Sequence, residues 1–130
     1  MLVYYGPDGH TERNPSFEFV KEILRKEPSY WAKGSGDSSL QFENHNEMLI
    51  FFKDKVDGVF IMQHPDYLAP YNPDVDVKTI YHRVGGEPMP IPSCCYVSLN
   101  TAEEILSAYL SNRLVIDDWK DIYEIIDYKE

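Results

Sequence analysis

Residues 48–62 read MLIFFKDKVDGVFIM, and this stretch decides the fold class. Two short apolar runs, 48–52 and 59–62, flank a polar segment that contains Gly58. Apolar runs of this length joined by a glycine-containing loop predict an antiparallel β-hairpin. Neither run alternates apolar with polar residues, which indicates strands that are buried on both faces near the centre of a sheet.

Amphipathic helices are predicted on both sides of this hairpin. An asparagine followed by proline at 14–15 suits the start of a helix, and the helical spacing of the apolar residues that follow predicts a helix over 15–27. The Thr-x-x-Glu capping box at 101–104 predicts the start of a second helix, over 101–111. Asn112 is suited to end that helix.

Shorter elements complete the predicted architecture. Strand patterns cover 2–5, 40–43, 78–84 and 94–98. The small residues of 32–39 predict a linker, and the three prolines of 88–92 predict an extended connection. A last helix is predicted from Trp119, which has apolar residues at the helical spacings after it. This order predicts an α+β fold, with a mostly antiparallel sheet and helices packed on one side, in a single domain over 1–130.

Negative charge is concentrated in the middle of the chain. The formal net charge is −10, and residues 37–76 contain eight acidic residues against two lysines. A field of this sign repels nucleic acid and anionic membranes, and it favours basic partners. We therefore expect no binding to nucleic acid or to a membrane.

Residues 64–77 form the longest stretch without a regular pattern. Three prolines make a central strand improbable there, and aspartates and tyrosines are frequent. Long connections inside small domains often carry function, although solvated loops share this composition. The sequence alone leaves both interpretations open.

The two cysteines are adjacent, at Cys94 and Cys95. Neighbouring residues of a strand point to opposite faces, so we expect two thiols in the core rather than a disulfide. Residues 1–7 lack the features of a signal peptide, and no apolar run is long enough to span a membrane. These observations predict a cytoplasmic protein.

The sequence contains no recognisable catalytic motif. His10, His45, His64 and His82 are scattered, and none stands at the spacing typical of zinc ligands. Glycine-rich phosphate loops, dinucleotide fingerprints and nucleophile elbows are absent from the sequence. We therefore expect no enzymatic activity and no cofactor. A small metal-dependent enzyme, with a zinc site built from His64, His82 and Cys94, is the minor alternative.

Residues 78–124 carry a series of features that resembles a known family. A strand ends in Gly85-Gly86, a proline-containing connection and a second strand follow, and then come helix 101–111 and Trp119. This arrangement resembles the immunity proteins of bacterial polymorphic toxin systems, specifically the Immunity protein 1 family. The resemblance implies structural roles: the two glycines in a turn or bulge with positive φ, and the tryptophan as an anchor of the last helix.

The resemblance implies an inhibitor that binds a cognate bacterial toxin and occludes its active site. Toxins of several kinds accompany such proteins, including deaminases that act on nucleic acid, and a nuclease is a further possibility. A toxin of this type needs a basic groove, toward which an acidic segment would be steered. We expect the contacts to come from Asp54, Asp57, Asp66, Tyr67, Tyr71, Asp74 and Asp76.

The expected partner is therefore a protein, with no small-molecule substrate. The alternative is an acidic adaptor domain that binds a protein other than a toxin.

Overall fold

The computed structural model describes residues 1–56 and 58–129, which form ten strands and three α-helices. In chain order the elements are β1 (Leu2–Tyr5), β2 (Thr11–Arg13), α1 (Phe17–Leu24), β3 (Ser38–Phe42), β4 (Met48–Asp54), β5 (Gly58–His64), β6 (Leu68–Ala69), β7 (Thr79–Val84), β8 (Glu87–Pro92), β9 (Tyr96–Val97), α2 (Leu99–Leu110), β10 (Lys120–Asp121) and α3 (Ile122–Lys129). None of these helices is long and apolar enough to cross a lipid bilayer.

The predicted hairpin forms the centre of the main sheet. β4 and β5 pair antiparallel over their whole lengths, and their central residues are buried. The strand order is β10-β6-β5-β4-β3-β1-β2, with β9 also paired to β5, and every pairing in this sheet is antiparallel. The helices pack against the sheet, so the predicted α+β fold is confirmed.

The predicted start of the first helix is wrong by two residues. Asn14 has a φ of 50°, which turns the chain away from the helical direction, so the predicted N-cap at this position does not form. Ser16 is the N-cap instead, because its side chain accepts a hydrogen bond from the Phe19 N–H at 3.1 Å. The helix ends at Leu24 rather than at residue 27.

The second helix begins before the predicted capping box. Ser98 is its N-cap, and the Thr101 N–H donates to the Ser98 hydroxyl at 3.2 Å, so Thr101 already lies in the first turn. The predicted end is confirmed, because Asn112 adopts a φ of 56° and its N–H donates to the Tyr109 carbonyl. A further bond from the Arg113 N–H to the helix completes a Schellman motif.

The predicted linker over 32–39 is only partly correct. A short 3₁₀ helix, Pro28–Ala32, precedes it, and Ser38 and Ser39 are buried residues of β3. The polar composition of 32–39 predicts a loop, because a buried strand serine cannot be distinguished from a loop serine until its packing neighbours are known. The fully buried tryptophan of the fold is Trp31, which lies in this 3₁₀ helix.

The Ser38 hydroxyl is the centre of a buried hydrogen-bond network. The Trp31 indole N–H donates to it at 3.0 Å, and the Tyr4 hydroxyl lies 2.8 Å from it. Tyr4 is in turn bonded to the Tyr30 hydroxyl at 3.0 Å. Because buried polar groups are costly when unpaired, this network ties the 3₁₀ helix, β1 and β3 into one unit.

The proline-rich connection is itself a strand, and the predicted strand 94–98 is mostly absent. β8 pairs antiparallel with β7 as a separate two-stranded sheet, and its prolines alternate, so their missing N–H groups fall on its outer edge. Gly85 and Gly86, with φ of 61° and 85°, form the turn between these strands. The buried cysteines lie in a 3₁₀ turn, Ser93–Cys95, rather than in a strand.

The last helix starts later than predicted. Trp119 precedes β10 and α3, and its side chain is half-buried against the core. Within residues 122–126, the part of α3 whose side chains the structure describes, Ile122 and Ile126 are buried, as their helical spacing predicts. Trp119 therefore contributes to the core from outside the helix that it was expected to begin.

Replacing Ser38 by alanine should lower the free energy of unfolding by about 1–3 kcal/mol, because it leaves the buried Trp31 N–H without its acceptor. Urea denaturation of the variant measures this difference. The matched control is Ser39→Ala, since the Ser39 side chain points to the opposite face of β3. Equal losses for the two variants would show that the network contributes nothing specific.

The protein should lose stability above pH 10, in part through Tyr4. Burial, and to a smaller extent Tyr30, raise the pKa of Tyr4 above its ordinary value of 10.0. Above that pH the unfolded chain releases this proton while the folded chain retains it, so stability falls as the pH rises. Thermal melts between about pH 8 and about pH 11 span the ordinary pKa of tyrosine. Over this range the melting temperature should fall less steeply for Tyr4→Phe than for the wild type. Tyr5→Phe, at the exposed neighbour of Tyr4, should keep the wild-type decline.

Candidate partner-binding surface

Residues 64–77 run along the surface, apart from the buried Ala69, and hydrogen bonds to their backbone hold them in place. β6 pairs with β5 on one side and with β10 on the other. Beyond β6, the Asn72 N–H donates to the Cys94 carbonyl at 2.8 Å, and the Ser93 hydroxyl donates to the Asp76 carbonyl at 2.9 Å. The segment is therefore an irregular connection with a fixed path.

The predicted aspartates of this segment face solvent. Asp66, Asp74 and Asp76 are exposed, and the Asp74 N–H donates to the Asn72 side-chain oxygen at 3.0 Å in a tight turn. None of the ion pairs found among the described residues includes these carboxylates. Their negative charge is thus directed outward.

The two predicted tyrosines are partly packed and share one neighbouring segment. The Tyr67 ring lies edge-on to the Tyr123 ring, with 5.1 Å between centroids. The backbone carbonyl of Tyr67 accepts a hydrogen bond from the Ile122 N–H at 3.0 Å. The Lys120 ammonium lies over the Tyr71 ring, 5.0 Å from its centroid. β10 and the start of α3 therefore bring both tyrosines into one surface.

The structure separates Asp54 from this surface. Asp54 lies at the turn end of the β4–β5 hairpin, where its carboxylate accepts from the Val56 N–H at 2.7 Å. Asp66 follows the opposite end of β5, about 20 Å away along the strand. Asp57 lies outside the described residues. We define the acidic loop as residues 64–77, without the hairpin turn.

An apolar cleft of about 290 Å³ opens between the acidic loop and the C-terminal segment. Its lining consists of Tyr71, Asn72, Pro73, Val75, Val77, Cys94, Lys120, Glu124 and Ile125. Sequence reasoning missed the last three, because they reach the loop through the β6–β10 pairing and the bond from the Ile122 N–H to the Tyr67 carbonyl, which no local pattern predicts. Val75, which is 42% exposed, places an apolar group beside the aspartates.

The residues proposed for a zinc site do not come together. Among the described residues, no group of three histidine, cysteine, aspartate or glutamate side chains is arranged to hold a metal ion. The His82 ring stacks on Phe52 at 3.6 Å, and its Nε2 lies 2.6 Å from the Gly36 carbonyl oxygen. His64 instead lies against Tyr67.

Both cysteines are buried, free thiols. Burial has the larger effect and the neighbouring Cys94 the smaller, and together they raise the pKa of Cys95 well above its ordinary value of 9.0. The thiolate is the reactive form of cysteine, so this environment suppresses reaction at Cys95.

The native protein should therefore react slowly with an aromatic disulfide reagent at pH 8. Protein unfolded in guanidinium chloride should release two equivalents of the chromophore, one for each thiol. A rapid reaction of either thiol in the native state would contradict the burial described above and would reveal an accessible nucleophile.

Comparison with known proteins returned no match to a protein-family model, to a curated protein or to a solved structure.

Proposed function

We propose that this chain is an immunity protein, which binds a bacterial toxin and covers its active site. The observation that carries the proposal is the acidic loop, whose path is fixed by hydrogen bonds to its backbone while its aspartates face solvent. A toxin that acts on nucleic acid presents a basic groove, and these carboxylates would be steered toward it in place of the phosphates.

The fixed path of the loop favours tight binding. A segment that is already ordered loses less conformational entropy on association than a flexible one. The neighbouring apolar cleft, with Tyr71 and Val75 in its walls, offers room for an apolar side chain of the partner. Aromatic and apolar contacts of this kind commonly supply most of the energy at an interface, while the charges increase the rate of association.

The family resemblance supports the same function. Gly85, Gly86 and Trp119 lie in a hairpin turn and in the half-buried layer around the core, outside the acidic loop. They serve the framework, whereas the loop is free to determine the choice of partner. The toxin that suits this surface is a basic protein of the deaminase or nuclease type, and two free thiols fit a cytoplasmic site of action.

Coexpression with the product of the adjacent upstream gene should give a one-to-one complex and abolish the toxicity of that product. Size-exclusion chromatography at physiological salt measures the complex, and survival of the host measures neutralisation. Separation of the two proteins at that salt concentration, with toxicity intact, would reject the proposal. Stable binding to a protein without toxic activity would instead identify an adaptor domain.

Reversing two charges of the acidic loop should slow association without unfolding the protein. We expect Asp66→Lys combined with Asp74→Lys to lower the association rate constant by about 10-fold or more at low salt, while the melting temperature stays nearly unchanged. The control is Glu22→Lys with Glu27→Lys, two exposed acids at the end of α1 and just after it. Identical association rates for the two double variants would remove the loop from the interface.

A further inference from the structure

A second cleft, of about 210 Å³, lies at the C-terminal end of α2. We call it the α2 cleft, and it is lined by Phe42, His45, Glu47, Leu49, Gln63, Tyr109, Asn112, Leu114 and Ile116. Its volume is several times the ~30 Å³ that one water occupies in the liquid, so it has room for a side chain. Because Gln63 precedes Asp66 by only three residues, this cleft opens at the same end of the sheet as the start of the acidic loop.

One buried polar atom in the α2 cleft has no partner. Gln63 is only 6% exposed as a residue, and its buried side-chain Oε1 makes no hydrogen bond to any described residue. Gln63 belongs to β5, where the preceding residues Ile61 and Met62 are buried and apolar. An apolar side chain at this position would therefore pack equally well in the core. The presence of a side-chain amide oxygen without a partner points to a ligand that donates hydrogen bonds.

The other walls of the α2 cleft favour a positive charge. The Glu47 carboxylate lies at the rim, and the C-terminal end of a helix carries partial negative charge. Burial has the larger effect and the charge of Glu47 the smaller, and together they raise the pKa of Tyr109 to about 12. In the part of the chain that the structure describes, neither lysine nor arginine lines this cleft, and its basic lining residue is the exposed His45.

The aromatic lining distinguishes between the possible cations. The rings of Phe42 and Tyr109 lie 5.4 Å apart between centroids at an angle of 47°. A planar guanidinium stacks on such rings and still directs several N–H donors at a carbonyl and a carboxylate. A lysine ammonium is compact, strongly hydrated and unable to stack in this way. The apolar side of the cleft, at Ile116, suits the methylene stem of a long cationic side chain.

We infer that the α2 cleft binds the side chain of an arginine presented by the toxin, with the guanidinium donating to Gln63 Oε1 and Glu47. This inference rests on the proposed function for the source of the arginine. It adds a second contact site to the acidic loop and assigns the toxin an arginine at its interface.

The chemistry of the cleft can be tested without a toxin. N-acetyl-arginine methylamide, titrated into the ¹⁵N-labelled protein, should shift the amide resonances of Gln63, Glu47 and Asn112 in a saturable manner. The citrulline analogue has nearly the same shape without the charge, and it should bind at least about 10-fold more weakly. Equal binding of the two probes, or shifts distributed over all exposed carboxylates, would overturn the inference.

Variants of the cleft separate binding from folding. Gln63→Leu removes the unpartnered carbonyl, so it should keep or raise the melting temperature while it abolishes the response to the arginine probe. Glu47→Gln should weaken probe binding several-fold. Glu43→Gln is the matched control, because Glu43 is an exposed acid of the same turn that pairs with Arg13 and does not line the cleft, and it should leave probe binding unchanged.

The toxin complex gives the decisive comparison. If the inference is correct, Gln63→Leu should increase the dissociation rate of the complex by about 10-fold or more. A complex that forms normally and is insensitive to Gln63→Leu and Glu47→Gln would overturn the inference while leaving the proposed function standing. Probe binding with no toxin complex under any condition would reject the proposed function instead, because the first experiment does not depend on it.

Discussion

The rest of the structure depends on the hydrogen bonds of the buried Ser38 hydroxyl. It joins Trp31 and Tyr4, and through Tyr4 it reaches Tyr30. Each of these polar groups would be costly to bury alone, so the 3₁₀ helix, β1 and β3 can pack here only together. Since β3 lies between β1 and β4, the network connects the outer strands to the central hairpin and so fixes the base from which the acidic loop extends.

The framework and the proposed binding surface occupy different parts of this fold. The apolar strands β4 and β5 supply the core, and the hairpin of β7 and β8 docks on it through the ring of His82. The acidic loop and the α2 cleft are then carried at the end of the sheet where β5 stops. Substitutions of the exposed aspartates should leave the core undisturbed, because the loop is held by hydrogen bonds to its backbone rather than by its aspartate side chains.

Sequence reasoning located most elements and missed several of their boundaries. The hairpin and the helical faces were predictable because apolar periodicity reflects burial directly. The helix starts at Phe17 and Leu99 were not, because more than one nearby residue could act as the N-cap and only the backbone shows which one does. β8 was mistaken for a connection because proline usually interrupts a strand, and it is tolerated here only on the outer edge of a two-stranded sheet.

The amino-acid sequence by itself determined the α+β architecture, the negative charge of the central segment and the exposed character of a proline- and aspartate-rich loop, since these follow from local pattern and composition. Only the tertiary structure decided which residues share a surface. It separated Asp54 from the acidic loop, brought Lys120 and Glu124 to its cleft, and left the side-chain oxygen of Gln63 buried without a hydrogen bond to any described residue. The physical reason is that such neighbours are set by strand pairing and packing between residues far apart in the chain, which no local pattern encodes.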